Sequence, residues 1–183
     1  MSIFDRLRTI FNKDSGNRDT SSNNPARTEQ QQAERRRSQR QNARDGTKIL
    51  IIDDSPTVIF AFKKILQHSG LTLLEALDAE KGITLVREHK PDLIFLDIVL
   101  PGMNGFAALR ALRRDPLTQA IPIIMISSNE QATEQFFGSK IGADDFLKKP
   151  FNRTEVFSRI ARLLDNDGIP RRVNDGNEGS GKT

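Results

Sequence analysis

The chain contains no cysteine, which excludes disulfides, zinc–thiolate centres and thiol nucleophiles. Histidine is almost as scarce. His68 and His89 are the only two, too few for a histidine-rich metal site, and no serine–histidine–aspartate arrangement suggests itself. No apolar run approaches the ~18 residues of a membrane-spanning helix. The first apolar residues come singly or in pairs, so no secretory signal is expected and a cytoplasmic location is. Apolar residues make up only 36% of the 183 residues. A wholly packed chain usually has ~45–50% when glycine is counted, so part of this one is expected not to pack.

Charge shows which part. Residues 1–46 hold ten Lys/Arg against six Asp/Glu, whereas residues 47–183 hold eighteen of each. The net charge of +4 therefore belongs to the N-terminal arm. Within that arm, residues 14–46 contain Ala26, Ala33 and Ala43 as their only apolar members. Such a stretch buries too little surface to offset its chain entropy and is expected to be a disordered basic linker. Residues 1–13 differ. Ile3, Phe4, Leu7, Ile10 and Phe11 share one helical face, and Ser2 with Asp5 suits a capping box. Residues 2–11 suit a short amphipathic helix that docks on a membrane surface, on a partner or on its own domain, with a frayed tail as the alternative, since so short a helix is marginal alone.

From residue 47 the pattern alternates strand and helix. Lys48–Ile52 is an apolar strand ending in Asp53-Asp54, and Ser55-Pro56 reads as the cap and first residue of a helix. A strand at Leu71–Ala76 and a helix opened by Asp78 follow, the helix stopped by Pro91. Leu93–Leu96 leads to Asp97. The loop Leu100–Gly105 leads to a third helix through Arg114. Ile121–Ile126 reads as a strand, Glu130–Lys140 as a weaker helix and Asp145–Leu147 as a short strand. Asn152 and Glu155 start the last helix, which runs to Leu164, and residues 165–183 read as a flexible tail. Five strands too continuously apolar to have a solvated face argue for a parallel sheet covered on both sides. The folded domain spans residues 47–164.

In such sheets the site lies beyond the carboxyl ends of the strands. That rule selects Asp53, Asp54, Asp97, Ser127 and Lys149. Clustered carboxylates repel unless a cation sits among them, and an all-oxygen set suits Mg²⁺. A carboxylate is also a competent phosphoryl acceptor, and a hydroxyl and an ammonium suit the new phosphate. Taken singly, each residue has an ordinary role as a turn, a cap or a surface lysine. Their ordered placement at four strand ends is the specific signal.

With these residues in hand, the chain resembles the response-regulator receiver family of two-component signalling. The resemblance is carried by Ile51-Ile52-Asp53-Asp54-Ser55, Leu96-Asp97 through Gly105, Ile126-Ser127-Ser128, and Gly142 through Phe151. It implies a flavodoxin-like sheet of order 2-1-3-4-5 with five helices. It implies Asp97 as phosphoacceptor, with Asp53, Asp54, Asp97 and the Val99 carbonyl holding Mg²⁺. Ser127 and Lys149 would bind the phosphoryl group, and Lys149-Pro150 would be a cis peptide. Phe146 would act with Ser127 as the switch, and Val99 and Asn129 would tune dephosphorylation. Within the family, Asp97–Phe106 and Leu117–Ile124 look most like stand-alone receivers of type IV pilus, chemotaxis-like twitching systems.

The implied function is signalling rather than catalysis. A histidine kinase supplies the phosphoryl group. A downstream protein reads the face formed by the helix at 130–140, the fifth strand and the last helix. Two other readings compete: a localised scaffold or phosphate sink, and a nucleic-acid-binding regulator using Arg35-Arg36-Arg37, Arg40 and Arg44. The arginine run has no interleaved aromatics, so specific nucleic-acid binding is not expected. Gly176–Thr183 matches a P-loop by letters but lacks the strand before and the helix after, and is read as tail. Asn152-Arg153-Thr154 is a glycosylation pattern only on paper.

Overall fold

The computed structural model describes residues 43–128 and 142–172. The helices expected at 2–11 and 130–140, the linker up to residue 42, Asn129 and the segment from 173 onward lie outside the described residues.

The described elements are β1 (Lys48–Ile52), α1 (Pro56–Leu66), β2 (Thr72–Ala76), α2 (Ala79–His89), β3 (Leu93–Asp97), α3 (Gly105–Arg114), β4 (Ile123–Ser127), β5 (Asp145–Lys148) and α4 (Arg153–Arg162). All five strands are parallel, in the order β2-β1-β3-β4-β5. This is the expected order, with four helices among the described residues.

The strand sequences are continuously apolar because alternate residues feed two different cores. Leu50, Ile52, Ile94, Leu96, Ile123 and Met125 pack with Val86, Leu109 and Leu112 on the α2/α3 side. Ile49, Ile51, Leu93, Phe95, Ile124 and Ile126 pack with Ile59, Phe62, Val156 and Ile160 on the α1/α4 side. Phe62 sits between Phe95 and Phe151, with ring centroids 4.9 and 4.7 Å away. Among the described residues, no helix is long and apolar enough to cross a membrane.

Local chemistry sets the boundaries. Asp78 and Asn104 cap α2 and α3, accepting from the Lys81 and Ala107 backbone N–H groups. Asn152 and Glu155 form the complete capping box at α4. Ser55 caps α1 by position, but its side chain makes no capping bond. Pro56 at the first helical position has no N–H to satisfy, and the Ser55 carbonyl takes the Val58 and Ile59 N–H groups. The fourth strand begins at Ile123 rather than Ile121. Pro122 cannot donate to a ladder, and the Ile121 N–H turns back to the Thr118 carbonyl.

The segment from Asp165 departs from the expected loose tail. Asp165 Oδ1 accepts the N–H groups of Asp167 and Ile169 at 2.9 and 3.0 Å, closing a turn at Gly168 (φ +73°). Pro170 then bridges back to Leu164, and the Arg171 N–H bonds the Leu163 carbonyl at 2.7 Å. α4 itself ends at Arg162, not at Leu164.

Gly105 shows how tightly the loop after β3 is packed. A Cβ there would lie 2.0 Å from the Asp97 carbonyl oxygen, a contact that backbone cannot relieve locally. At Gly82 a Cβ would meet the Ile52 side chain at 2.5 Å, which rotamer change eases and a helical alanine partly offsets, by ~1 kcal/mol. Gly105→Ala should therefore destabilise by at least ~1–3 kcal/mol, and by more than Gly82→Ala. Urea-denaturation midpoints of the two variants check the order.

Candidate functional site

Parallel pairing brings the ends of β1, β3, β4 and β5 to one rim. Asp53 follows β1, Asp97 ends β3 and pairs in register with Ile126, and Ser127 ends β4. The Ser127 carbonyl accepts the Lys149 N–H at 2.8 Å, which carries the chain from β5 back over the rim. The next peptide bond, Lys149-Pro150, is cis.

At the centre lies one ammonium shared by two carboxylates. Lys149 Nζ is 2.7 Å from Asp53 Oδ2 and 2.7 Å from Asp97 Oδ2. Both aspartates are buried, and Ser127 is fully so. The remaining oxygens are held by the backbone. Asp53 Oδ1 accepts the Ser55 N–H at 3.0 Å, and Asp97 Oδ1 accepts the Val99 N–H at 3.3 Å. Asp54 is exposed at the mouth, and one carboxylate oxygen from each of Asp53, Asp54 and Asp97 lies within 4.8 Å of the others.

The site is electrostatically undercompensated. Burial is the main reason the Asp53 carboxyl is pushed above the usual carboxylate range. The Lys149 hydrogen bond and charge and the Ser55 N–H oppose the shift, while the Asp97 charge adds to it. For Lys149, burial favours the neutral amine, but the hydrogen bonds and charges of Asp97 and Asp53 together outweigh it and raise its pKa. The two shifts differ in sign of benefit because one lysine gains two partners while each aspartate gains half a lysine. Three carboxylates face one ammonium, a formal surplus of two negative charges.

This arrangement fits a divalent oxygen-bound cation. Asp53 Oδ2 is buried, with the Lys149 ammonium 2.7 Å away as its partner. One oxygen from each of three clustered carboxylates, with Asp54 exposed, is an all-oxygen donor set that suits a cation that keeps waters.

The structure thus brings together Asp53, Asp54, Asp97 and Lys149, with Ser127 at the next strand end. Val99 joins through its N–H, while its side chain is 60% exposed. Phe146 is elsewhere: paired in register with Met125, it is buried in the α2/α3-side core. Gly105 is a site residue that the motif reading passed over. Its N–H bonds the Ile98 carbonyl at 3.0 Å, and its missing side chain makes room for the Asp97 backbone. The signal was present as the glycine directly after the capping Asn104.

The comparisons with known proteins agree with this geometry. A family model for the response regulator receiver domain matches residues 49–161. Protein PilH of Pseudomonas aeruginosa is 39% identical over 117 residues, covering 64% of this chain and 97% of PilH. The DNA-binding dual master transcriptional regulator RpaA of Synechocystis is 39% identical over 125 residues, and there the match spans only 52% of the relative. Among solved structures, the chemotaxis protein CheY4 of Vibrio cholerae superposes with a TM-score of 0.60 at 27% identity, covering 65% of this chain and 99% of that one. On the fold, the acidic rim and these matches together, the chain belongs to the response-regulator receiver domain family.

Proposed function

We propose that this chain is a phosphorylation-dependent response regulator in which Asp97 takes a phosphoryl group from a histidine kinase. The observation that carries this reading is the buried Asp97 carboxylate, held by Lys149 Nζ at 2.7 Å beside two further carboxylates. In the transfer, an Asp97 oxygen attacks phosphorus and the bond from phosphorus to the kinase imidazole nitrogen breaks. The electron pair stays on that nitrogen, and Asp97 becomes an acyl phosphate. Lys149 stays protonated, since its pKa is raised, and pairs with the phosphoryl oxygens. The Ser127 hydroxyl donates to the same group. Asp53, Asp54, Asp97 and the Val99 carbonyl would hold Mg²⁺, which would supply positive charge to offset that of the phosphoryl group.

Output is protein binding. Ser127 and Phe146 carry the change toward the surface of β5 and α4. The likeness spans nearly all of PilH but only about half of the DNA-binding relatives. A protein target is in keeping with the pilus- and chemotaxis-like wording of the Asp97 loop. Residues 47–164 are the receiver in this reading, and the apolar residues among 1–13 would serve to localise it.

Three outcomes follow. Incubation with a small acyl phosphate and Mg²⁺ should add one phosphoryl group, as seen by intact-mass spectrometry, and Asp97→Asn should remove it because an amide is a poor nucleophile. Labelling undiminished in Asp97→Asn would reject the assignment.

Mg²⁺ alone should raise the melting temperature, since a cation at ~100 times its Kd stabilises by ~2.7 kcal/mol. Asp54→Ala should lose most of this gain. Equal Mg²⁺ shifts in the wild type and Asp54→Ala would place the cation elsewhere.

Once formed, the acyl phosphate should hydrolyse slowly. Val99 is exposed and its side chain offers an attacking water no hydrogen bond, and Asn129 can orient a water but cannot act as its base. Val99→Asn should speed the decay about tenfold, ~1.4 kcal/mol, measured after donor removal. A variant decaying no faster would remove Val99 from this role.

A further inference from the structure

A third buried carboxylate lies at the opposite pole of the sheet from the acidic rim. The Asp144 side chain, just before β5, is fully buried. Its Oδ2 takes Arg113 Nη2 at 2.7 Å and the Ile123 N–H at 2.8 Å. Its Oδ1 takes Arg172 Nε at 3.1 Å. Both arginines also grip backbone carbonyls: Arg113 those of Gly142 and Ile121 at 2.7 Å, Arg172 those of Gln119 and Gly142 at 3.2 and 3.3 Å. Arg172 comes from the turn that follows α4. That same turn accepts the Arg44 N–H on the Gly168 carbonyl at 3.0 Å.

We propose that residues 163–172 form a strap belonging to the working fold, which clamps the start of β5 through Arg172 and Asp144 and ties down the chain just before β1 through Gly168. The need for a clamp is visible in the sheet. β5 is a four-residue edge strand with one neighbour, β4. An edge strand is held by half the ladder of a central one, yet this one leads directly into Lys149. Its far end is fixed by the Lys149 ion pairs and its near end by Asp144. Arg172 is thus a positioning residue that acts through Asp144 and the strand. The forked guanidinium suits the task, because it meets a carboxylate and two carbonyls at once, as a lysine does not. The inference rests on these contacts and not on phosphotransfer, so the two readings fail separately.

The test is native-state hydrogen exchange on the full chain. Arg172→Ala should cost the amides of Ile123, Asp144 and β5 at least tenfold in protection, with β1 and β2 amides changing less than twofold. Arg172→Lys should restore part of the loss. Asp165→Ala, which removes the acceptor that closes the turn, should reproduce this loss and in addition cost protection at the Arg44 amide, which bonds the Gly168 carbonyl. Arg171→Ala should leave it unchanged, because the exposed Arg171–Asp165 pair is of the kind worth little. Unchanged protection at β5 in Arg172→Ala, a loss spread evenly over the sheet, or an equal effect of Arg171→Ala would overturn the proposal.

Discussion

The sharing of one ammonium between Asp53 and Asp97 is the constraint around which this domain is arranged. Its geometry needs three strand ends at one rim: β1 for Asp53, β3 for Asp97, and β5 delivering Lys149 across β4. The order β2-β1-β3-β4-β5 supplies that juxtaposition, because β1 and β3 are direct neighbours and the β5 return is tied to the Ser127 carbonyl. The two apolar cores serve it by shielding the sheet from both faces. The acidic rim is left as the place where charge meets solvent, through Asp54.

The two poles of the sheet treat a buried carboxylate in opposite ways. Asp144 has two guanidinium partners and a backbone N–H, so its charge is fully answered, as a buried ion must be to be tolerated. Asp53 and Asp97 divide one lysine, and burial lifts the Asp53 pKa. A well-compensated cluster fixes structure. An undercompensated one with an open side is poised to accept positive charge or to be transformed chemically, and perturbed carboxylates of that sort concentrate at functional sites. The contrast separates scaffold from chemistry within a single sheet.

Much of this was legible in the sequence because it is local. The continuously apolar strands, the caps at Asp78, Asn104 and Asn152, and the placement of acidic and hydroxyl residues at strand ends all follow from short-range pattern. What was not legible depends on distant partners. The segment at 165–172 reads as tail by composition, and only its contacts with Asp144, Gln119 and Arg44 give it structure. The start of β4 shifted because proline removes a ladder donor that a hydrophobicity reading does not count. The motif names Phe146 as a switch residue but not its burial, which β5 register against Met125 decides. The capping role of the Ser55 side chain failed because Asp53 and Pro56 already set that turn.

The loop that follows β3 is closed at its neck by the bond from the Gly105 N–H to the Ile98 carbonyl, with the Asp97 backbone pressed against the glycine. It is braced once more where the Met103 N–H meets Glu80 Oε1 at 3.3 Å. Its crest, at Pro101 and Gly102, is exposed. Such a hoop has a fixed circumference and a variable rim. Side chains on the crest are free to change with whatever the domain meets. The number of residues between the aspartate and the glycine is not free, since one more or one fewer would unseat the neck and move the carboxylate with it. Variation among related chains should therefore appear here as altered lettering at constant length.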